Sequence, residues 1–393
     1  MQSGSETRAA LYASAGSDLI HFDVDVAGTA LTRRDAFRLP ASVQYAWQSP
    51  SRRFLYIAAS NGGPGSTGDA HWLCALRIAP NGSLHLHGAP LALRWRPIHI
   101  TLDMPGEHAI VAYNKPSTVS VHRIARDGTV GAEVAQAPSL DAGTYAHQVR
   151  VAPSNRVAIL VARGNDAAGG RPEDPGALKL LDYRDGRLIN AVTIAPADGY
   201  GFGPRHVDFH PSRPWLYVSL ERQNLLHVWR FEHDVMGAVP AFEHDLLAAP
   251  RAPGARQVAG TLHAHPNGRF VYVANRSYGT AERDGETVWT GGENNIAVFA
   301  IDVATGAPTV IQHADTGGVG PRCFALDPAG RLLVAANFMP IKVREAGRTQ
   351  DVPATLAVFR VGDDGRLAME RRYEVDVGRE TMFWMGIVPL PDA

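Results

Sequence analysis

Two sets of polar side chains recur along this 393-residue chain at the edges of apolar runs. Where such a run begins stand Gln44, His99, His147 with Gln148, Arg205 with His206, His263, and Arg322. Where the following run ends stand Asn61, Tyr113 with Asn114, Arg163 with Asn165, Glu221 with Arg222, Asn275 with Arg276, and Asn337. Imidazole and carboxylate can take a proton from water, while guanidinium can hold a carboxylate or phosphate or stabilise an oxyanion. Glu221 is the hardest to explain as structure. It follows the apolar run Trp215–Leu220, and a buried carboxylate needs an ionic or hydrogen-bonding partner, for which Arg205, Arg222 and Arg276 are candidates. A single His or Asn at a strand end ordinarily satisfies free backbone groups; the set as a whole reads as a pocket.

Other signatures fail. His263 and His265, like His85 and His87, have a spacing that puts both rings on one face of a strand, but no third ligand follows at a diagnostic distance and no HExxH occurs. The Gly-rich stretch 62–68 lacks the GK[ST] ending of a phosphate loop, and there is no G-x-S-x-G elbow. Chemistry without a metal or an organic cofactor is expected.

The runs that carry these residues repeat. One unit reads as an apolar run, a turn with Pro and then Arg or Gly, a β-branched and aromatic run closing on Ala-Asn or similar, a loop, and a Val-x-Val-Phe-like alternation followed by Asp-Gly. Copies are HVDFHPSRPWLYVSLERQNLLHVWRF from His206, LHAHPNGRFVYVANRS from Leu262 with NNIAVFAID from Asn294, and CFALDPAGRLLVAANF from Cys323 with TLAVFRVGDDG from Thr355. Weaker copies begin at Gln44, His99 and His147. Their turn prolines, Pro50, Pro105, Pro153, Pro211, Pro266 and Pro328, recur at roughly 50 to 60 residues, long for a four-stranded blade but compatible with surface-loop insertions at 62–68, 164–176 and 278–292. A seventh copy is split between TMFWMGIVP from Thr381 and the N-terminal AALYAS, DLIHFDVD and ALTRRDAFRL. The pattern predicts an all-β, seven-bladed β-propeller with four antiparallel strands per blade and residues 1–393 as one domain. N- and C-terminal strands share one blade and close the ring, leaving no free sheet edge.

In such a blade the innermost strand starts, and the second strand ends, on the same face. Both polar sets therefore converge on one mouth of the central channel, where a ligand pocket is expected. The Pro-x-Gly-Arg and Asp-Gly turns fall on the other, mainly structural, face.

Composition narrows the ligand. With 38 Lys+Arg against 39 Asp+Glu, no long-range field recruits nucleic acid or an anionic membrane. Lys occurs only at Lys115, Lys179 and Lys342, so the cations are nearly all Arg, whose planar fork suits carboxylate or phosphate. A small anionic molecule is the expected partner. Cys74 and Cys323 lie in apolar, strand-like runs and read as buried thiols in a reducing compartment. The N-terminal MQSGSETRAA has no apolar h-region, and no run approaches the ~20 apolar residues of a membrane span. A cytoplasmic protein, monomeric or weakly homo-oligomeric, is expected.

GPRHVDFHP from Gly203 with Tyr217-Val218-Ser219-Leu220-Glu221, GPRCFALDPAGRLLVAAN from Gly320, and PIHITLD from Pro97 with Val111-Ala112-Tyr113-Asn114 resemble signature segments of the β-propeller lactonases. That family includes 6-phosphogluconolactonase-type hydrolases and the fungal 3-carboxy-cis,cis-muconate lactonising enzyme. The resemblance spans all the blades. It implies a His, two Arg and a Glu near the channel, matching His147, Arg205, Arg276 and Glu221. It also implies metal-independent hydrolysis of a sugar-acid lactone, phosphorylated or not, by water attack on the ester carbonyl.

In that reading Glu221 or His147 takes the proton from water, and Arg205 and Arg276 stabilise the oxyanion or hold an anionic substituent. His206, Arg322, His99, Tyr113, Asn114, His263 and Gln148 complete the wall. A lactonising isomerase acting on a carboxylated muconate is the alternative chemistry in the same pocket. A non-catalytic propeller that binds a partner through its faces is the alternative class, and it predicts exposed apolar patches. Trp47, Trp72, Trp95 and Trp384 could supply one, but their strand patterns read better as packing between blades. The chain departs from the family pattern in insertions 164–176 and 278–292, and in Arg213-Pro214 where the turn usually has Gly-Lys or Gly-Arg.

Overall fold

Neighbouring sheets cover both faces of the second strand of each repeat, which is why those segments read as unbroken apolar runs. Phe54–Ser60, Val157–Ala162, Trp215–Leu220 and Leu332–Asn337 are buried at every residue. The outermost strands Ala30–Arg38 and Leu367–Glu374 are mostly exposed. The structure is a computed structural model that describes residues 7–251, 254–345 and 347–392. It forms a seven-bladed β-propeller of antiparallel sheets, each built outward from an innermost strand.

Blade 1 begins with Ser42–Gln48, blade 2 with Pro97–Leu102, blade 3 with Ala146–Val151, blade 4 with Pro204–Phe209, blade 5 with Gln257–Ala264 and blade 6 with Pro321–Leu326. Blade 7 takes Met385–Pro389 as its innermost strand and completes itself with Ala9–Ala15, Asp18–Asp25 and Ala30–Arg38. Ala9 lies opposite Pro389 and Ala13 opposite Met385, so the two ends of the chain close the ring as expected.

Apolar side chains of adjacent blades stack around the circle. Leu11 and Phe22 of blade 7 pack with Val334 and Val358 of blade 6, and Tyr12 and Leu19 pack with Ile57 and Cys74 of blade 1. Apolar burial drives this stacking but does not fix its register. Tyrosine latches add direction: the hydroxyls of Tyr12, Tyr56 and Tyr272 donate to the carbonyls of Gly82, Gly128 and Gly365 at 2.6, 2.8 and 2.9 Å. Gly128 has φ +92°, and a Cβ there would lie 2.4 Å from the Phe54 ring, so this Asp-Gly turn admits no side chain. Cys74 and Cys323 are both buried and unpaired. No helix among the described residues is long and apolar enough to cross a membrane.

The innermost strands share a second feature. In six blades their pairing with the second strand slips, and the register skips Gln44, Ile98, His147, Arg205, Gly260 with Thr261, and Arg322. Such a β-bulge takes a residue out of the in-and-out alternation and re-aims its side chain. Proline precedes the bulged residue at Pro97, Pro204 and Pro321, where a missing N–H costs little because the strand edge faces the channel.

The segment 278–292, expected as a surface loop, is largely a hairpin of Thr280–Arg283 and Glu286–Trp289. A second hairpin, Ile341–Glu345 with Arg348–Val352, rises from blade 6 beside it. Val319, Ile341 and Val343 pack against Tyr278, Trp289 and Val352, and Lys342 pairs with Glu286 at 2.8 Å. The strands of the first hairpin are short and largely polar, so they carry little strand periodicity. Its turn, Asp284-Gly285 with positive φ at both residues, was the available signal.

Candidate active site

Six bulged residues, Gln44, Ile98, His147, Arg205, Thr261 and Arg322, line one axial cavity of about 390 Å³. The bulges of different blades thus turn a ring of strand starts into a single pocket. The cavity continues past His99, His206, His263 and Trp47 towards Pro266 and Pro328. Beside its mouth lies a broader groove of about 800 Å³, lined by Arg96, Asn114, Lys115, Tyr145, Asn165 and Arg171 among others.

Glu221 organises one side of the mouth. Arg205 Nε and Arg276 Nη2 donate to its Oε1 at 2.9 and 2.6 Å, and Arg163 Nη1 donates to its Oε2 at 2.8 Å. Burial pushes the carboxyl up, but the summed attraction of Arg205, Arg163 and Arg276 outweighs it and holds Glu221 well below the usual carboxylate range. A carboxylate so stabilised in its charged form is a weak proton acceptor. For Arg205, burial and the neighbouring Arg276 outweigh the pull of Glu221 and bring it down to about 10. The site carries more cation than its carboxylate neutralises.

Three imidazoles follow one another along the cavity wall. The ring of His206 lies 5.4 Å from that of His147 and 6.4 Å from that of His99, measured between centroids. Burial lowers all three well below the ordinary histidine value, and nearby arginines, Arg205 among them in each case, lower them further. All three are therefore neutral near pH 7. Arg205 Nη1 donates to His206 Nε2 at 3.3 Å, which fixes that nitrogen as the acceptor. Nδ1 of His147 and both ring nitrogens of His99 are buried with no hydrogen-bond partner, a condition polar groups rarely keep unless a ligand or water completes them.

The family described as lactonase, 7-bladed β-propeller, matches residues 4–339. The chain belongs to that family. It is 26% identical over 365 residues to a 6-phosphogluconolactonase of Bacillus subtilis, covering 88% of this chain and 94% of that protein. It is 28% identical over 307 residues to one of Pectobacterium carotovorum, covering 78% and 81%. Among solved structures it is similar to a periplasmic gluconolactonase of Pseudomonas aeruginosa, with a TM-score of 0.70 and 21% identity over 98% of this chain and 100% of that one.

In this lactonase-family propeller the residues expected from sequence fall into distinct places. His147, Arg205, His206, His99, His263 and Arg322 line the axial cavity. Glu221 and Arg276 stand behind that wall, joined to it through Arg205. His263 sits deeper, its Nδ1 3.5 Å from Asp208, which Arg150 also holds at 3.0 Å.

Tyr113, Asn114 and Gln148 do not belong to the wall of the cavity. Tyr113 is buried between blades, its hydroxyl 2.7 Å from that of Ser120, because its strand position turns it into the sheet interface. Gln148 follows the bulged His147 and so returns to the alternation, where its Oε1 accepts the Val207 N–H at 2.6 Å and staples blade 3 to blade 4. Asn114 lines the neighbouring groove instead. Arg222, one of three candidates to hold Glu221, pairs with Glu173 at 2.9 Å. Arg163 takes the role expected of Arg222, its own guanidinium carbon 4.0 Å from the centre of the Tyr145 ring. The signal for it was its place at the end of the second strand of blade 3, one blade from Glu221.

Among the described residues no cluster of three or more His, Cys, Asp or Glu could hold a metal ion. Asn61, Asn275 and Asn337 satisfy local groups: Asn61 Oδ1 accepts from Asp69 N and Ala70 N, Asn275 donates to Leu246 O, and Asn337 donates to Thr316 O. Trp47 and Trp384 line the cavity rather than an outer face.

Proposed function

We propose that this protein opens a sugar-acid lactone to its hydroxy acid by water attack on the ester carbonyl, in the axial cavity and with protein side chains alone. The observation that carries the reading is the pairing, in one cavity wall, of a buried neutral imidazole, His147, with a buried guanidinium, Arg205, which Glu221 holds from behind. The names of the relatives support lactone hydrolysis over lactonising isomerisation.

His147 takes the proton as the water oxygen bonds to the carbonyl carbon, and the electron pair of the C=O bond moves onto oxygen. Arg205 stabilises that oxyanion. Collapse breaks the bond to the ring oxygen, which leaves with the proton returned by the imidazolium. One water is consumed, and the acid formed releases a proton at neutral pH. Glu221 does not act on water: it fixes Arg205, while Arg276 and Arg163 fix Glu221. Lactones of this kind already open slowly in water, so orientation, a base and charge stabilisation are sufficient. All the named groups come from one chain, so a monomer suffices, and two buried free thiols fit a cytoplasmic setting.

A panel of aldonolactones with and without a phosphate group, and a carboxylated muconate, tests the reading. Acid release from at least one aldonolactone above its spontaneous rate is expected. Turnover of the muconate alone would overturn it.

A further inference from the structure

The mouth of the cavity is charged unevenly. On the side built by blades 3, 4 and 5, Arg163, Arg205 and Arg276 share Glu221. On the other side, Arg96 just before blade 2 and Arg322 of blade 6 flank the ring of Phe383, which precedes the innermost strand of blade 7. Their guanidinium carbons lie 5.9 and 3.5 Å from the ring centre. Neither arginine has an acidic partner among the described residues.

Both are nonetheless held in place. Arg96 is only 6% exposed, and its Nε and Nη2 donate to Gln44 Oε1 at 3.0 and 2.7 Å. Gln44 Nε2 donates in turn to the carbonyls of Ser42 and Gly62, each at 3.3 Å, and of Ser60 at 3.5 Å, which leaves the amide oxygen for Arg96. Arg322 Nε donates to Phe383 O at 3.1 Å. A neutral amide, a neutral carbonyl and a ring face orient the two cations without cancelling their charge. A glutamate in place of Gln44 would have neutralised Arg96 at once. Nη1 of Arg96 has no partner among the described residues.

Burial of a guanidinium without a counter-charge is expensive and is tolerated where an anion arrives to complete it. Burial, with Arg276 and Arg205 nearby, pulls Arg322 down to about 9, as expected of a cation short of anions. Arg96 lines the groove, while Gln44, Arg322 and Phe383 line the axial cavity. The pair therefore marks the seam where a ligand anchored in the cavity would extend towards the groove.

We propose that Arg96 and Arg322, both beside the Phe383 ring, form a second anion-binding subsite across the mouth from Glu221, which grips a phosphate or carboxylate at the far end of the ligand. The placing of the lactone ester at Arg205 and His147 rests on the function proposed above; the anion subsite itself does not.

Calorimetric titration of the full chain at fixed ionic strength separates the two. The probes are inorganic phosphate, D-gluconate, D-gluconate 6-phosphate and D-glucarate, ring-opened acids that do not turn over. Wild type binds the 6-phosphate or the glucarate at least ten-fold more tightly than gluconate, and the preferred one identifies the anion. Arg96→Gln reduces that preference to two-fold or less, and Arg96→Lys keeps part of it. Thermal unfolding checks the fold, and Arg322→Gln carries the same comparison if Arg96→Gln does not fold.

A wild type without preference, equal weakening of gluconate and dianion, or a preference that survives the substitutions overturns the subsite. Silence from every probe overturns it too. Arg96-dependent phosphate binding without gluconate binding sustains the subsite and sinks the lactone reading. Gluconate binding with no tighter dianion does the reverse.

Discussion

Arg276 Nη2 donates to Glu221 Oε1 across 2.6 Å, from the second strand of blade 5 to the residue that ends the second strand of blade 4. Arg205 shares that oxygen and Arg163 of blade 3 takes the other. One carboxylate therefore ties three blades together at the mouth. Both of its oxygens are engaged by arginines, and the proposed mechanism gives it no part in activating water.

Removing that carboxylate leaves buried guanidiniums facing one another. Glu221→Ala is expected to lower stability by about 3–5 kcal/mol, the usual cost of stranding one side of a buried ion pair, read as a lower urea midpoint. Glu221→Gln keeps hydrogen-bond acceptance but loses the charge, and lactone kcat/KM should fall while the acid limb of the pH profile stays where it is in wild type. A limb that disappears in Glu221→Gln would make Glu221 the base after all.

In the proposed mechanism His147 sets the pH dependence of turnover. Burial, with Arg205, Arg163 and Arg322 nearby, lowers its pKa, and only the neutral ring accepts a proton. The kcat/KM profile should therefore rise with pH through a midpoint well below the ordinary histidine value of about 6.5 and be flat at neutral pH. A midpoint at or above that value would remove His147 from the role.

Stability follows the same histidines with a definite sign. His99, His147 and His206 have lowered pKa values in the folded chain, so below the unfolded value the unfolded chain binds protons that the folded chain does not. Stability should be level above about pH 7.5 and decline as pH falls through about 6.5, by ~1.4 kcal/mol per pH unit for each histidine while it remains neutral in the fold. Denaturant titrations between pH 8 and pH 5 read the decline. Stability that rises on acidification through this window would mean that the rings are not neutral in the fold.

Tyr113 offers a contrast, since its hydroxyl meets Ser120 between blades and not the cavity. Tyr113→Phe is expected to cost about 0.5–1.5 kcal/mol of stability, the net worth of one hydrogen bond. Turnover should stay within two-fold of wild type. A loss of turnover at unchanged stability would return Tyr113 to the site.

These contrasts show how far the sequence is legible. The repeat, the split blade and the face on which His147, Arg205 and Glu221 meet all follow from strand periodicity, because a two-residue alternation and a turn proline are local. The bulges are not local. A bulge is a relation between two strands, and Arg205 and Gln148 look equivalent in a one-dimensional pattern although one enters the cavity and the other staples two blades. Arg96 stands before one strand, and Phe383, though inside the repeat copy TMFWMGIVP, stands before the strand Met385–Pro389, so neither is among the polar residues that recur at strand starts. Their relation exists only once blades 2, 6 and 7 are closed into a ring.

In the proposed reaction everything depends on His147 as the proton acceptor in the axial cavity. The direct measurement is the initial rate of acid release from an aldonolactone that the wild type opens, corrected for spontaneous opening, in wild type and in His147→Asn. A fall of ~10²- to 10⁴-fold in kcat/KM with the fold intact is the expected result. A His147→Asn protein that opens every such lactone at the wild-type rate would contradict it.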